Sequence, residues 1–185
     1  MRRFAVPGLI VAIAVALLLV LAIGISNSSA GGSIGARIQR GDYPLAPNAE
    51  LAMPLLEDAG KTQTLASLRG RFVLINIFAS WCEPCQGEAP VLRKAQTTLA
   101  AGNGTVVGVT YQDNAGADIK FVREYGLQYP IWTDANGNFA HAYDVTGVPQ
   151  SYLVDPQGRI VWMSEQPISA DWVARTLPKL LQEHA

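Results

Sequence analysis

Cysteine and histidine are scarce in this chain, and clustered basic charge is missing. Among 185 residues there are two cysteines and two histidines. Both cysteines fall in one run, Trp81-Cys82-Glu83-Pro84-Cys85, so they cannot staple distant parts of a fold and a disulfide scaffold is excluded. His141 and His184 stand far beyond Cys85, unlike the ligand spacing of a zinc finger, which argues against half of a zinc site. No Arg/Lys-rich run and no stripe of alternating aromatic and basic residues occurs, so nucleic acid is not an expected partner. No internal repeat is present either.

Charge is absent from one long stretch. From Phe4 to Ile25 no residue is ionisable. As a helix this run rises about 33 Å, enough to cross a hydrocarbon core of roughly 30 Å. Arg2 and Arg3 precede it and the next basic residue is Arg37. The positive-inside rule therefore puts the start of the chain in the cytoplasm and the bulk outside. Ser28-Ser29-Ala30 offers small residues where a signal peptidase could cut, but the apolar run exceeds the usual signal core of about 7 to 15 residues. An uncleaved anchor is the expectation, with a removed signal sequence as the alternative. No cysteine directly follows the run, so lipid attachment there is not available. Without Arg2 and Arg3 the remainder is mildly acidic, since every Asp and Glu lies at or after Asp42.

Beyond the apolar run the chain reads as a tether and one domain. Residues 26–42 are rich in Ser, Gly and Ala without periodicity, as in a flexible linker. Leu51 to Leu56 and Lys61 to Thr64 flank the turn-like Glu57-Asp58-Ala59-Gly60, which predicts a hairpin. Phe72 to Phe78 is a near-continuous apolar run, as in strands buried on both faces. Gln86 to Ala101 is helical in pattern with Pro90 inside it, where a kink is expected. Thr105 to Tyr111 reads as a strand, Asp118 to Tyr125 as a helix, Tyr129 to Thr133 as a strand and Gly137 to Tyr143 as a short helix. This alternation implies a parallel sheet core. Gln150 to Val154 and Arg159 to Met163, joined by Asp155-Pro156-Gln157-Gly158, form a second predicted hairpin. Ser169 is a natural N-cap for a closing helix to about Glu183, with Pro178 a second expected kink.

The chemistry concentrates where the apolar strand ends. Two thiols two residues apart at the start of a helix can close a small disulfide ring, and a strand feeding such a helix is a redox arrangement. The nucleophile in disulfide exchange is a thiolate, so an exposed Cys82 is expected. At a helix start its sulfur faces unpaired backbone amides and the positive end of the helix dipole, which favour the thiolate by about 0.3 to 1 kcal/mol. Cys85, one turn inside, is expected to be shielded. Glu83 opposes the thiolate, because a like charge about 4 Å away costs on the order of 1 kcal/mol in water. Pro84 fits a first helical turn whose amides have no partner, and stiffens the ring.

Residues 71–90, RFVLINIFASWCEPCQGEAP, resemble the active-site block of the membrane-anchored, extracytoplasmic thioredoxin-like proteins of the TlpA and ResA type. Tyr143 to Asp155, YDVTGVPQSYLVD, is similar to their second block, a loop ending in a cis-proline and the strand after it. The resemblance covers Tyr43 to the C-terminus. It implies a thioredoxin-like α/β fold, a central mixed sheet flanked by helices with an added N-terminal β-hairpin, over residues 43–185, behind an anchor at 1–25. It further implies that Cys82 attacks, Cys85 resolves, Pro149 is the cis-proline and Glu88 handles protons. Asn76 stands where thioredoxin itself has a buried aspartate, which shifts the acid–base role toward Glu88. Trp81, Glu83, Pro84, Val148 and Pro149 are the expected substrate-contact residues, with the backbone at Val148-Pro149 presented for strand-like pairing with a peptide. Trp132, Trp162 and Trp172 are expected to be packing residues.

The implied function is thiol–disulfide exchange with protein dithiols or disulfides. The expected direction is reduction, fed by a membrane thiol carrier, with apocytochrome c as one candidate substrate. No cofactor is called for, and a monomer is expected. Two alternatives stand beside it. One is a zinc-, copper- or partner-binding module on the same fold, although copper carriers of this fold typically space their cysteines by three residues. The other is a thiol peroxidase, which usually needs Thr or Ser three residues before the reactive cysteine, where this chain has Ala79. For Glu88 the alternative is a solvated acid on a helix face.

Overall fold

The computed structural model describes residues 14–17 and 32–185. Residues 14–17 are helical, and the rest of the expected anchor at 1–25 lies outside the described residues. Among the described residues no helix is long and apolar enough to cross a membrane.

The reading of 26–42 as a tether needs correction over its second half. Ile34–Gln39 is a helix (α1), capped by the Ser33 hydroxyl, which accepts from the Ala36 amide at 3.3 Å. It buries Ile34 and packs on the last strand, so closely that a Cβ at Gly35 would lie 3.0 Å from the Met163 sulfur. A helix of this length turns too few times to show a hydrophobic period.

Seven strands form one mixed sheet: β1 Met53–Leu55, β2 Asp58–Gln63, β3 Val73–Phe78, β4 Thr105–Tyr111, β5 Ile131–Asp134, β6 Gln150–Val154 and β7 Ile160–Ser164, in the order β2-β1-β5-β4-β3-β6-β7. The centre, β3-β4-β5, is parallel, and β6 and β7 add antiparallel strands beyond β3. On the other side β1 and β2 pair antiparallel, with β1 against β5. Their turn is tighter than expected, at Leu56 and Glu57, because Asp58 already pairs with Leu55 across a register shift.

The helices α2 Glu83–Ala101, α3 Ala115–Glu124, α4 Asn138–Ala142 and α5 Leu177–Glu183 complete the fold. Alternate residues of β3 point to opposite faces. Leu74 and Phe78 join the core that includes Ala89, Leu92, Ala95 and Leu99 of α2, whereas Val73, Ile75 and Ile77 join the core around Trp132, Phe139 and Tyr152. Asn76 shares the α2 face and is a buried polar residue in it. Trp132 is buried, and the half-buried Trp162 and Trp172 pack on each other at 4.2 Å.

Prolines act differently in the two long helices. The first, α2, continues as one helix through Pro90. The closing segment is divided: Ser169 accepts from the Trp172 amide at 3.1 Å, Trp172–Thr176 widens into a π-turn, and the α-helix resumes at Leu177 with Pro178 in its first turn. Proline cannot donate to the carbonyl four residues back, and a π-turn is one way to pass that gap.

Gly108 of β4 lies beside Asn76 in the sheet. A Cβ there would meet Ile131 Cδ1 at 2.6 Å and Phe78 Cε1 at 3.0 Å. Gly108→Ala is therefore expected to lower stability by about 1 to 3 kcal/mol through overpacking. Urea unfolding checks this as a lower midpoint at unchanged slope.

Candidate functional site

The site forms where β3 runs out between its parallel neighbour β4 and its antiparallel neighbour β6. After Phe78 the chain turns through Ala79-Ser80-Trp81, and the Cys82 amide donates to the Ala79 carbonyl at 3.2 Å. Cys82 is the N-cap of α2, and its sulfur accepts from the Cys85 amide at 3.2 Å. The structure holds the site oxidised, with Cys82 and Cys85 joined and their Cα atoms 5.2 Å apart. The expected exposure of Cys82 is corrected: it is only 3% exposed, nearly as buried as Cys85 at 2%. Its sulfur sits against its own helix and 3.6 Å from the Val148 carbonyl oxygen. The surface around it belongs to Trp81, 61% exposed, and to the exposed Glu83 and Pro84.

The Val148-Pro149 peptide is cis, with Val148 half-buried and Pro149 buried. Sequence reasoning missed what holds this loop. Gln150, buried just after the proline, accepts from the Thr146 amide at 3.3 Å, and its side-chain amide donates to the Tyr152 hydroxyl. That hydroxyl in turn donates to the Tyr143 carbonyl. A polar side chain inside an apolar strand was the available signal.

Glu88 lies one turn beyond Cys85 on the same face of α2. It is 2% exposed, which excludes the solvated-acid reading. One carboxyl oxygen accepts from Asn76 Nδ2 at 3.0 Å and the other from the Ile168 amide. Asn76 also donates to Ser151 Oγ at 2.9 Å. Burial pushes the Glu88 carboxyl up to about 7, while the bonds from Ile168 and Asn76 pull the other way. A group poised there can take or return a proton near neutrality.

A second pair of acids stands behind the redox loop. Asp113 accepts from the Ser80 amide, and Asp118 of α3 is buried close to Asp113. Neither was singled out from sequence, yet Asp118, Phe121 and Val122 follow helical spacing and all three are buried. Among the described residues no group of three or more His, Cys, Asp or Glu could hold a metal ion. His141 is exposed and His184 packs edge-on against Tyr43 at 4.9 Å.

Comparison with known proteins gives a consistent picture. The family model described as AhpC/TSA family matches residues 45–163. The thiol-disulfide oxidoreductase ResA of Bacillus subtilis (strain 168) is 32% identical over 108 residues, 58% of this chain and 60% of ResA. The thiol:disulfide interchange protein DsbE of Pseudomonas aeruginosa is 32% identical over 136 residues, 71% of this chain and 73% of that protein. A crystal structure described as a thiol:disulfide interchange protein DsbE from Chlorobium tepidum superimposes with a TM-score of 0.67 at 25% identity, covering 77% of this chain and 96% of the other. This likeness and the sheet order make the fold thioredoxin-like.

Proposed function

Since the chain belongs to the AhpC/TSA family, matched over residues 45–163, we propose that it exchanges disulfides with protein partners through Cys82 and Cys85. The observation that carries this reading is the Cys82–Cys85 disulfide at the start of α2, beside a cis-proline loop and one turn from a buried carboxyl.

In the reduced protein the Cys85 amide that now reaches the Cys82 sulfur is placed to hold its thiolate. That thiolate attacks a substrate disulfide. A Cys82–substrate bond forms, the substrate S–S bond breaks, and the departing thiolate is protonated. Cys85 then gives its proton to Glu88 and attacks the Cys82 sulfur. The Cys82–Cys85 bond forms, the second substrate sulfur leaves as a thiolate and takes a proton, and two electrons have passed to the substrate. Asn76 and the Ile168 amide hold Glu88 for its part. Trp81, Glu83, Pro84, Val148 and Pro149 form the contact surface, with the Val148 backbone offered to an extended peptide.

The uncharged run from Phe4 to Ile25 supports a location at a membrane, with the exchange domain on its outer side. Reduction, with electrons from a membrane thiol carrier and apocytochrome c among the candidate substrates, is the direction that the resemblance to the TlpA and ResA type supports. A redox titration against glutathione tests the proposal. A potential near or below about −270 mV agrees with a reductant, and one near about −120 mV makes the protein an oxidant instead. No reversible dithiol couple, together with stoichiometric zinc or copper binding, would overturn exchange altogether.

A further inference from the structure

The loop that carries Cys82 is held from behind by acids that the exchange steps do not use. The Ser80 amide donates to Asp113 Oδ2 at 2.5 Å, and the Asn114 amide to Asp113 Oδ1 at 2.6 Å. The Ser80 carbonyl accepts from Gln86 Nε2 at 3.2 Å, so one residue ties the β4–α3 loop to the first turn of α2. Asp118, in the first turn of α3, is 0% exposed. Neither of its carboxyl oxygens has a hydrogen-bond partner among the described residues, and it joins none of their ion pairs.

An ionised carboxylate in that position has no formed hydrogen bond to hold it, with only the Thr110 hydroxyl acting in its favour, which makes the charged form costly. A neutral carboxyl has one hydrogen to give and needs an acceptor. The groups acting on Asp118 are Asp113 from the loop and the Thr110 hydroxyl from β4. On α3 itself Lys120, Arg123 and Glu124 are exposed, and Glu83 at the start of α2 is exposed as well. The acceptor that carries charge is Asp113. Burial raises the Asp113 carboxyl but is outweighed by the hydrogen bonds from Ser80 and Asn114, so it stays ionised. The Asp118 carboxyl is pushed up to about 7, by burial first and then by Asp113.

We propose that Asp118 is a positioning residue of the dithiol site: as a neutral acid it donates to Asp113, and the pair, with one proton and one negative charge, fixes the Ser80 amide and the loop from Ala79 to Cys82. This inference rests on the proposed exchange function for its meaning, although the pair itself can be observed without turnover. As pH rises past about 7 Asp118 ionises. Two like charges then face each other, the grip on Ser80 loosens, and the added negative charge disfavours a thiolate at the start of α2.

Proton–nitrogen NMR of the oxidised full chain, in which neither cysteine titrates, reads the pair directly. The Ser80 amide resonance is expected to move with a midpoint near pH 7 in the wild type, to stay fixed in Asp118→Asn, and to keep its midpoint in Glu88→Gln. Asp113→Asn, the second variant, is expected to shift the resonance upfield and abolish its titration. A Ser80 resonance that does not titrate in the wild type, or that titrates unchanged in Asp118→Asn, overturns the pair. In the reduced protein the ratio of Asp118→Asn to wild-type exchange rates is expected to rise about threefold from pH 6 to pH 8.5, the size of one added charge acting across a partly screened distance. A flat ratio would remove the positioning role. Loss of exchange in both proteins with the Ser80 result intact would instead sink the exchange function and leave the acid pair standing.

Discussion

Cys85→Ser is expected to leave the protein covalently joined to its partner, and Cys82→Ser to leave it unattached. Burial alone does not choose the attacking sulfur, since the two cysteines are 3% and 2% exposed. Their surroundings do. Cys82 caps the helix, receives the Cys85 amide, lies 3.6 Å from the Val148 carbonyl and is flanked by exposed Trp81, Glu83 and Pro84. Both belong to the core cluster that holds Ala89 and Leu92, but Cys85 lies inside the first turn, one turn from Glu88. On the proposed roles a substrate sulfur is taken by Cys82 and released by Cys85, and serine at 85 is expected to stop the cycle at the mixed disulfide. Turnover is expected to fall on the order of 10³-fold or more in either variant. Non-reducing electrophoresis with mass spectrometry distinguishes them: a dithiothreitol-sensitive adduct forms with Cys85→Ser and not with Cys82→Ser. Equal trapping by both variants would show that Cys85 can attack, and the assignment of roles would fail.

The elements legible in the sequence are those whose signal is local. β3 is an apolar run broken only by Asn76 because both its faces are buried, and β4 and the β6–β7 hairpin follow from similar runs and a turn ending in Gly158 at φ 84°. The pair Cys82 and Cys85 could be read from spacing alone. What could not be read depends on distant residues. Ile168 donates to Glu88 across 80 residues and Asn76 to Ser151 across 75, so the burial of Glu88 is a property of the assembled sheet and helix. The burial of Cys82 likewise needs the Val148 loop, which arrives 66 residues later. Asp118 is the informative miss. Its helical spacing with Phe121 and Val122 put a carboxylate on a buried stripe, and a charge on such a stripe is a mismatch between pattern and chemistry worth explaining.

Glu88→Gln is expected to slow exchange by about 10²- to 10⁴-fold, the usual contribution of a positioned acid or base. In the wild type the carboxyl, at about 7, gains the capacity to take the Cys85 proton as pH rises through neutrality, so the rate should rise over that range. Glutamine keeps the shape and can still accept from Asn76 or Ile168, but has no proton to exchange, and that limb of the profile should disappear. Stability gives an independent reading. The folded-state value lies above the ordinary 4.5, so the protein gains from Glu88 where it is protonated in both states, below about pH 4.5, and loses that gain as pH rises to about 7. The loss is about 3 kcal/mol. Asp118 adds a fall of its own over much the same window, so the quantity to measure is the difference between wild type and variant. Urea unfolding at pH 4 and pH 8 should show the Glu88→Gln protein losing about 3 kcal/mol less than the wild type between the two. Unchanged thiol pKa values and an unchanged exchange rate in this variant would remove Glu88 from the chemistry. A stability difference that persisted alongside them would leave it a buried acid that only weakens the fold at neutral pH. Because Asn76 and the Ile168 amide hydrogen-bond Glu88 without cancelling the cost of its burial, a site that destabilises the fold as it ionises is consistent with a carboxyl retained to move a proton.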